Sequence, residues 1–301
     1  WLKKRVTEPL ESLGVSLKYG TRIFATGRFR EIRQLQTLAD AQAEAAMEAK
    51  KYGDIAIAAS SAGASPTFST VPDTTRADFR PDADYVHICY NNTIFGTKWD
   101  YIPDTGSVPL VADMSSCILS EPVDVSKFGL IYAGAQKNMG PAGLTVVIIR
   151  VDLAGNARSD TPSTLDYKKL LDNNNAYSNA SIWGIYMAKL VYEWIESLGG
   201  LEKMKELNEK KAKLLYDFLD SSEMFKGTVV KKDRSLMNVP FITGNPELDA
   251  KFVKASSEAG FANLKGHRSV GGMRASIYNA MPMEGVEKLV QFMEKFEKEN
   301  R

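Results

Sequence analysis

The chain has 301 residues, of which 44% are hydrophobic, and this is enough for one large domain and a smaller one. Its formal net charge is +1, so charge gives no case for a nucleic-acid or membrane-surface partner. The two cysteines, Cys89 and Cys117, cannot form a disulfide framework, and with two histidines they do not cluster as metal ligands. We interpret them as buried thiols and expect a cytoplasmic protein without a bound metal.

The sequence shows no apolar run as long as a membrane span and no visible signal peptide. It begins with Trp1 rather than methionine, which is consistent with a trimmed or engineered chain.

The front of the chain predicts a series of short elements. Residues 1–20 suit a surface helix, and Thr21 to Thr26 suit a strand. Helix-forming residues dominate 28–52. A short buried strand is predicted from Ile55 to Ala59, and a loop from Ser60 to Ser69.

Two apolar runs in the middle of the chain, FGLIYA from Phe128 and LTVVIIR up to Arg150, are typical of buried strands. The turn between them is rich in Gly, Ala and Pro and carries Lys137. Small neighbours let a planar group approach the backbone, and they lower the cost of the uncharged amine that attacks a carbonyl. The alternative is an ordinary loop lysine with its ammonium in water.

A second apolar strand, Val108 to Ser116, carries Asp113 near its end. Because ligands bind at the carboxyl ends of parallel strands, Asp113 and Lys137 can face one cleft. Pyridoxal phosphate needs this pair, since the lysine holds its aldehyde and the carboxylate keeps its pyridine nitrogen protonated. Alone, Asp113 would also suit a helix N-cap or a turn.

A third segment carries two arginines, Arg268 and Arg274, separated by a flexible Gly-Gly and preceded by His267. Guanidinium forks bind carboxylates and phosphates bidentately, so the two arginines can hold two anionic groups of one small ligand. The alternatives are structural ion pairs for the arginines and an ordinary loop histidine.

Strands that alternate with helices from 21 to 150 predict a mostly parallel sheet with helices on both faces. We therefore expect a large α/β domain at 1–180, a connecting helix at 181–199 and a small α+β domain at 200–301. The long helix predicted from Ile182 to Leu198 is amphipathic, and we assign its aromatic residues to core packing. The elements predicted after it are helix 201–219, strand 235–242, helix 247–259, strand 274–278 and helix 284–299.

The runs SKFGLIYAGAQKNMGPAGLTVVIIR and GHRSVGGMRASIYNAM resemble the phosphoserine aminotransferases, class-V aminotransferases with the fold of fold-type I pyridoxal-phosphate enzymes. DADYVHICYNNTIFGTKW, VPLVADMSSCILS and DRSLMNVPF extend the resemblance, which is close from about residue 80 to 301. It implies a homodimer that uses pyridoxal 5'-phosphate to transfer an amino group from glutamate to 3-phosphohydroxypyruvate. The implied products are O-phosphoserine and 2-oxoglutarate, in serine biosynthesis.

The resemblance also implies cofactor-binding roles for four residues. Lys137 binds the cofactor aldehyde and is the catalytic residue, and Asp113 pairs with the ring nitrogen. Thr93 hydrogen-bonds near the ring hydroxyl, and Gln136 joins the phosphate cluster. For Thr93 an ordinary turn hydroxyl is the alternative.

For the substrates, the resemblance implies that Arg274 holds the α-carboxylate. His267 and Arg268 hold the side-chain phosphate, or the side-chain carboxylate of glutamate.

Some positions depart from the family pattern. Phe29 stands where a tryptophan stacks on the pyridine ring, and core packing is its alternative role. Ser178 and Asn179 occupy places where an Asn and a Thr reach the phosphate of the other subunit, and two prolines are gone. The segment Ala62 to Ser65 suits either the phosphate loop or a plain surface loop.

An early SAGPA-type segment and an arginine of the family are not found in this sequence. These departures leave two other hypotheses open. One is a related aminotransferase with another acceptor. The other is a non-catalytic or engineered homologue that keeps the fold with impaired cofactor binding.

Overall fold

The computed structural model describes residues 21–26, 50, 53–175, 177 and 180–301, and for 21–26 only the backbone. The predicted helices at 1–20 and 28–52, and the candidate residues Phe29, Ser178 and Asn179, lie outside the described residues. Within these ranges the strands are β1 (Thr21–Thr26), β2 (Val86–Cys89), β3 (Leu110–Asp113), β4 (Leu130–Gly134), β5 (Thr145–Arg150), β6 (Lys226–Gly227), β7 (Asn238–Ile242) and β8 (Met273–Ser276). The α-helices are α1 (Tyr167–Asp172), α2 (Ile182–Ser197), α3 (Gly200–Ser221), α4 (Pro246–Glu258) and α5 (Met283–Glu299).

The described chain divides into two compact units that interleave in sequence. The first unit contains residues 75–90 and 102–205 together with β1, and the second contains 53–74, 91–101 and 206–301. The domain limits expected from the sequence, 1–180, 181–199 and 200–301, stay predictions.

The first unit is built on a five-stranded sheet in the order β1-β5-β4-β3-β2. β2, β3 and β4 are parallel to one another, whereas β5 is antiparallel to both β4 and β1. The mostly parallel arrangement expected from the sequence therefore holds for β2 to β4, and the whole sheet is mixed. The reason is the connection 135–144, which reverses the chain directly, because a parallel crossover needs about a dozen residues or more.

The middle strands of this sheet are buried along nearly their whole length, as the runs FGLIYA and LTVVIIR predict. The strand predicted from Ile55 to Ala59 is wrong, because this segment lies outside every strand and Ile57 is 68% exposed. An apolar run becomes a strand only where a neighbour completes its ladder, and propensity alone does not provide one. The loop predicted from Ser60 to Ser69 is confirmed.

The second unit contains an antiparallel sheet in the order β6-β7-β8, with α3, α4 and α5 supplying most of its apolar core. Phenylalanines fill the centre: Phe252 lies edge-on to Phe225 at 5.0 Å and to Phe296 at 5.1 Å between ring centroids. The elements predicted at 201–219, 235–242, 247–259, 274–278 and 284–299 are all present, with small differences at their ends.

Helix α2 forms where predicted, and Ser181 caps it by accepting the Gly184 N–H at 3.2 Å. The assignment of its aromatic residues to core packing is wrong for Trp183, Tyr186 and Trp194, which are 66%, 49% and 37% exposed. The buried face of α2 is a different stripe: Gly184, Ile185, Ala188, Tyr192 and Ile195. The helix is thus apolar on two sides, and sequence periodicity could not tell which side faces the core.

Candidate active site

Asp113 is the last residue of β3, and its side chain is buried. The Ser115 amide donates to its Oδ1 at 2.8 Å, while the Ser115 hydroxyl accepts the Gly134 N–H at 3.0 Å. Ser115 therefore ties the end of β3, and the carboxylate on it, to the end of β4. Tyr132 of β4 lies opposite Asp113 in the strand register, and burial together with the nearby Asp113 charge raises the pKa of its phenol.

Lys137 lies in the turn that follows β4, and its side chain is half-buried. The amides of Met139 and Gly140 both donate to the Ala135 carbonyl, at 3.0 and 2.8 Å. The side-chain amide of Asn138 donates from Nδ2 to the Ile118 carbonyl at 3.0 Å. These bonds fix the backbone on both sides of the lysine.

Helix α2 supports the same turn from its buried face. A Cβ on Gly140 would lie 3.4 Å from the Ala188 nitrogen, so the backbone of the turn approaches the helix closely at this residue. The Tyr192 hydroxyl lies 3.6 Å from the Met139 sulfur. The turn that carries Lys137 is therefore packed against a helix rather than free in solvent.

Asp113 ends β3 and Lys137 lies in the turn that follows β4, so both stand at the carboxyl edge of two parallel neighbouring strands. Among the residues that the structure describes, no lysine or arginine forms an ion pair with the Asp113 carboxylate. A buried carboxylate without a cationic partner is costly, and the protonated ring nitrogen of pyridoxal phosphate would supply that partner. This edge therefore fits the cofactor.

In the second unit, the structure brings together two more candidates, Thr93 and Arg274. Arg274 on β8 donates from Nη1 to the Thr93 carbonyl at 3.0 Å. Its Nε is buried and has no hydrogen-bond partner among the described residues. Desolvation lowers the pKa of the guanidinium from its usual value. An anion bound to the remaining donors would satisfy this cation, so Arg274 suits a carboxylate.

His267 and Arg268 lie on a tight turn just before β8. The amides of Val270 and Gly271 donate to the His267 carbonyl at 3.0 and 2.8 Å, and the imidazole Nδ1 lies 2.7 Å from the Ser269 hydroxyl. Arg268 is exposed. A Cβ on Gly266 would meet the Gly271 carbonyl oxygen at 2.0 Å, so the base of this turn requires glycine. The turn presents an imidazole and a guanidinium to solvent, which suits a phosphate or carboxylate.

The remaining candidates are less constrained. Gln136 is exposed, and its side chain covers Gly134, where a Cβ would lie 2.6 Å from the amide oxygen Oε1. In the segment from Ala62 to Ser65, the Ala62 amide donates to Ser60 Oγ at 3.2 Å and the Ala64 amide to the Ser61 carbonyl at 3.0 Å. Two of its amides are therefore already used within the loop, as in a plain surface loop.

Sequence reasoning missed the residues that hold the candidates in place, namely Ser115 and Asn138. The hydroxyl two residues after Asp113 was a usable signal, because short polar side chains commonly bond neighbouring backbone. The position of Tyr132 opposite Asp113 depends on strand register, which no local pattern specifies.

The described residues contain no cluster of His, Cys, Asp or Glu that could hold a metal ion. No described helix is both long enough and apolar enough to cross a membrane.

A family model described as aminotransferase class-V matches residues 30–289, so the chain belongs to the class-V aminotransferase family. It is 52% identical over 258 residues to a phosphoserine aminotransferase of Bacillus cereus, an alignment that covers 86% of this chain and 71% of that protein. A phosphoserine aminotransferase of Ectopseudomonas mendocina is 49% identical over 253 residues, covering 84% of this chain and 70% of that protein.

Solved structures give the same result. The phosphoserine aminotransferase of Bacillus circulans subsp. alkalophilus superposes with a TM-score of 0.92 at 41% identity, covering 99% of this chain and 86% of that one. The pyridoxal-phosphate-bound enzyme from Trichomonas vaginalis gives a TM-score of 0.83 at 33% identity, covering 97% of this chain and 87% of that one. The family resemblance and the fold type inferred from the sequence are confirmed, and the hypothesis of a non-catalytic homologue receives no support.

Proposed function

We propose that this chain is a pyridoxal-phosphate-dependent transaminase that moves an amino group from glutamate to 3-phosphohydroxypyruvate. The products are 2-oxoglutarate and O-phosphoserine, and the reaction belongs to serine biosynthesis in the cytoplasm. The observation that carries the proposal is the pair formed by the buried Asp113 and by Lys137 at the carboxyl ends of two parallel strands. The phosphoserine aminotransferases that the chain resembles support the choice of substrates.

Two residues are assigned to the aldehyde and the ring nitrogen of the cofactor. When bound, pyridoxal phosphate supplies a ring that withdraws electrons from the substrate Cα. Lys137 would hold the cofactor aldehyde through its amine, and the same amine would move a proton at the substrate Cα. Asp113 would accept a hydrogen bond from the ring nitrogen and keep that nitrogen protonated. Both groups need the fixed backbone that Ser115 and Asn138 provide.

Five further residues are assigned to the rest of the cofactor. By the family resemblance, the Thr93 hydroxyl would bond near the ring hydroxyl and Phe29 would stack on the ring face. Gln136, Ser178 and Asn179 would supply neutral donors to the phosphate.

The substrate-binding residues are assigned by charge. Glutamate and 3-phosphohydroxypyruvate each carry a carboxylate beside the reacting carbon, and Arg274 would bind that group through its guanidinium, whose Nε has no partner among the described residues. Each substrate also carries a second anionic group, a carboxylate or a phosphate. His267 and Arg268 bind it from their exposed turn. One set of residues therefore accepts both substrates.

We also propose that the active protein is a homodimer. The exposed stripe of α2, formed by Ile182, Trp183, Tyr186, Leu190 and Trp194, supports this assembly. Apolar residues at this density are costly in water and are typical of a surface that another chain covers. Sedimentation velocity tests the proposal: the wild type should sediment as a dimer and Tyr186→Glu as a weaker dimer or a monomer. A wild-type monomer across the micromolar range would contradict it.

A panel of acceptors tests the substrate assignment most directly. The enzyme is loaded with pyridoxal phosphate and supplied with glutamate plus 3-phosphohydroxypyruvate, pyruvate, oxaloacetate or glyoxylate, and 2-oxoglutarate is measured. We expect kcat/KM to be highest by far for 3-phosphohydroxypyruvate, because only this acceptor offers a phosphate to His267 and Arg268. Equal rates with the unphosphorylated acceptors would favour the related transaminase with another acceptor.

A further inference from the structure

The face of the second sheet that carries Arg274 also carries a buried polar residue to which the reaction gives no role, Asn238. In the strand register, Asn238 on β7 pairs with Ser276 on β8, and Pro240, two residues further along β7, pairs with Arg274. Because paired residues point to the same face and side chains alternate along a strand, these four lie on one face. The residues between them belong to the apolar core on the other face: Val239, Phe241, Met273 and Ala275.

The side-chain amide of Asn238 is fully buried, and both of its polar atoms are hydrogen-bonded. Its Oδ1 accepts from Asn91 Nδ2 at 3.0 Å. Its Nδ2 donates to the Tyr278 hydroxyl at 3.1 Å and to the Ser276 hydroxyl at 3.3 Å. A buried amide is costly unless it is hydrogen-bonded, so these contacts hold one another in place. Asn238 therefore joins β7 to the end of β8 and to the segment that begins at Asn91.

The segment 91–98 packs closely on β7. At its start, Asn91 donates to Asn238, as described above. Further along, the Ser235 amide donates to the Gly96 carbonyl at 2.9 Å. A Cβ on Gly96 would lie 2.2 Å from Pro240 Cδ, and the φ of Gly96 is +72°, so this close approach requires glycine. The segment is therefore fixed on the strand at both of these points.

The Thr93 carbonyl lies between these two points, and it accepts from Arg274 Nη1 at 3.0 Å. The Arg274 backbone is fixed in β8, and this bond fixes the far end of its side chain. Because the guanidinium is planar and rigid, these two anchors set the direction of its other donors, among them the buried Nε that has no partner among the described residues. The position of the Thr93 carbonyl therefore decides where the guanidinium points.

We propose that Asn238 is a positioning residue for substrate binding. Through Asn91 it holds the Thr93 carbonyl in the place where that carbonyl orients Arg274 for the substrate α-carboxylate. The proposal rests on the role of Arg274 in the proposed function, and it adds the residues that set the orientation of this arginine. Loss of the bond between Asn238 and Asn91 leaves the charge of Arg274 unchanged but lets the guanidinium turn, so both substrates bind more weakly.

The first test measures kcat and KM for both substrates in matched variants of the enzyme loaded with pyridoxal phosphate. Asn238→Leu keeps the size of the side chain and loses its hydrogen bonds. We expect KM to rise about tenfold for both substrates with a smaller change in kcat, the effect of one weakened bond to a charged group. Asn208→Leu is the control, because it removes another buried amide of the second unit, whose Nδ2 donates to Asn279 Oδ1 at 2.9 Å. The control should lose similar stability in urea and keep the wild-type KM.

The same substitution in an Arg274→Lys background separates a positioning role from a merely structural one. If Asn238 acts through the guanidinium, Asn238→Leu should change KM by less than about twofold once the guanidinium is gone. A merely structural role would raise KM by the same factor in both backgrounds. Asn91→Ala should reproduce the effect of Asn238→Leu, and the double variant should be no worse than either single variant.

The second test needs neither cofactor nor substrate. The Nε–H signal of Arg274 can be identified in ¹H–¹⁵N spectra by its absence in Arg274→Lys. We expect this proton to exchange with water about tenfold faster in Asn238→Leu than in the wild type, because the guanidinium is then free to turn. In Asn208→Leu the exchange rate should equal that of the wild type.

An equal rise of KM in both backgrounds, or unchanged exchange of the Arg274 Nε–H in Asn238→Leu, would overturn the proposal. Failure of the proposed function has a different signature. In that case the wild type would show no visible band of lysine-bound cofactor and no turnover, while proton exchange at Arg274 would still report on Asn238.

Discussion

The two segments that carry the candidate residues differ in how firmly they are held. Around Asp113 and Lys137, the side chains stand at the ends of buried strands, and hydrogen bonds from Ser115 and Asn138 fix the backbone. Around His267 and Arg268, the residues lie on an exposed turn.

This difference matches two chemical tasks. A cofactor stays in place through every turnover, so its residues can be fixed in advance. Substrates that enter and leave need residues that water and ligand can both reach. Arg274 stands between the two cases, since it is half-buried and one donor is already used on the Thr93 carbonyl.

One substitution at Lys137 should abolish cofactor attachment and turnover. Lys137→Ala removes the amine that holds the cofactor and moves the proton, so we expect loss of all measurable turnover and of the visible band of lysine-bound cofactor. Absorbance and 2-oxoglutarate release measure the two effects. Lys127→Ala, on an exposed turn, is the control and should retain both. Retained turnover in Lys137→Ala would contradict the proposed mechanism.

Arg274→Lys tests the intermediate case. Lysine keeps the positive charge but lacks the guanidinium that binds a carboxylate bidentately. We therefore expect kcat/KM to fall about 100-fold for both substrates, since both carry the α-carboxylate. The cofactor band should be unchanged. A loss restricted to one substrate would show that Arg274 binds a different group.

Arg268→Ala tests the exposed turn. We expect KM for 3-phosphohydroxypyruvate to rise about tenfold, because one charge-assisted contact to the phosphate is lost. The contact is solvent-exposed, so the difference between variant and wild type should shrink as salt is raised. A difference that does not change with salt would indicate a buried contact instead.

The smallest effect concerns stability within the second unit. Lys211 is buried, and its Nζ donates to the carbonyls of Ile277, Tyr278 and Asn279 at 3.2, 2.8 and 3.4 Å, just beyond β8. Lys211→Met leaves these carbonyls without that donor. We expect a loss of about 1–3 kcal/mol in the free energy of unfolding at pH 7, measured with urea.

Lys211 also predicts a pH dependence. Burial lowers its pKa to about 8 from the ordinary value of 10.5. Between these values the unfolded chain binds more protons at this site than the folded chain does, so this group makes stability rise as pH rises from about 8 to 10.5. Lys211→Met should lack this rise. Parallel pH profiles for the two proteins would contradict the assignment.

The sequence was sufficient to predict that Asp113 and Lys137 stand at the ends of strands. It was not sufficient to predict the residues that hold them in place. Two apolar runs and an acid at a strand end predicted that Asp113 and Lys137 stand at the same edge of the sheet, because the carboxyl ends of neighbouring parallel strands share an edge. The contact between Arg274 and Thr93 could not be predicted from local patterns, since the two residues are 181 positions apart. The reversed direction of β5 and the pairing of Tyr132 with Asp113 likewise depend on tertiary pairing.

Helix α2 and the Ile55–Ala59 segment show the same limit. Periodicity predicted the helix correctly, but two apolar stripes on it competed for the core, and Ile185 and Tyr192 are buried rather than Tyr186 and Trp194. The Ile55–Ala59 run had strand-like composition, and it forms no strand because no neighbouring strand pairs with it.

The measurement that tests the central claim most directly is a reduction experiment. The protein is incubated with pyridoxal phosphate, its visible spectrum is recorded, and borohydride is added before digestion and mass spectrometry. We expect a visible band that reduction abolishes, and a single cofactor-labelled peptide that contains Lys137. A protein without the band, or a label on another lysine, would contradict the assignment of the edge formed by Asp113 and Lys137 as the cofactor site.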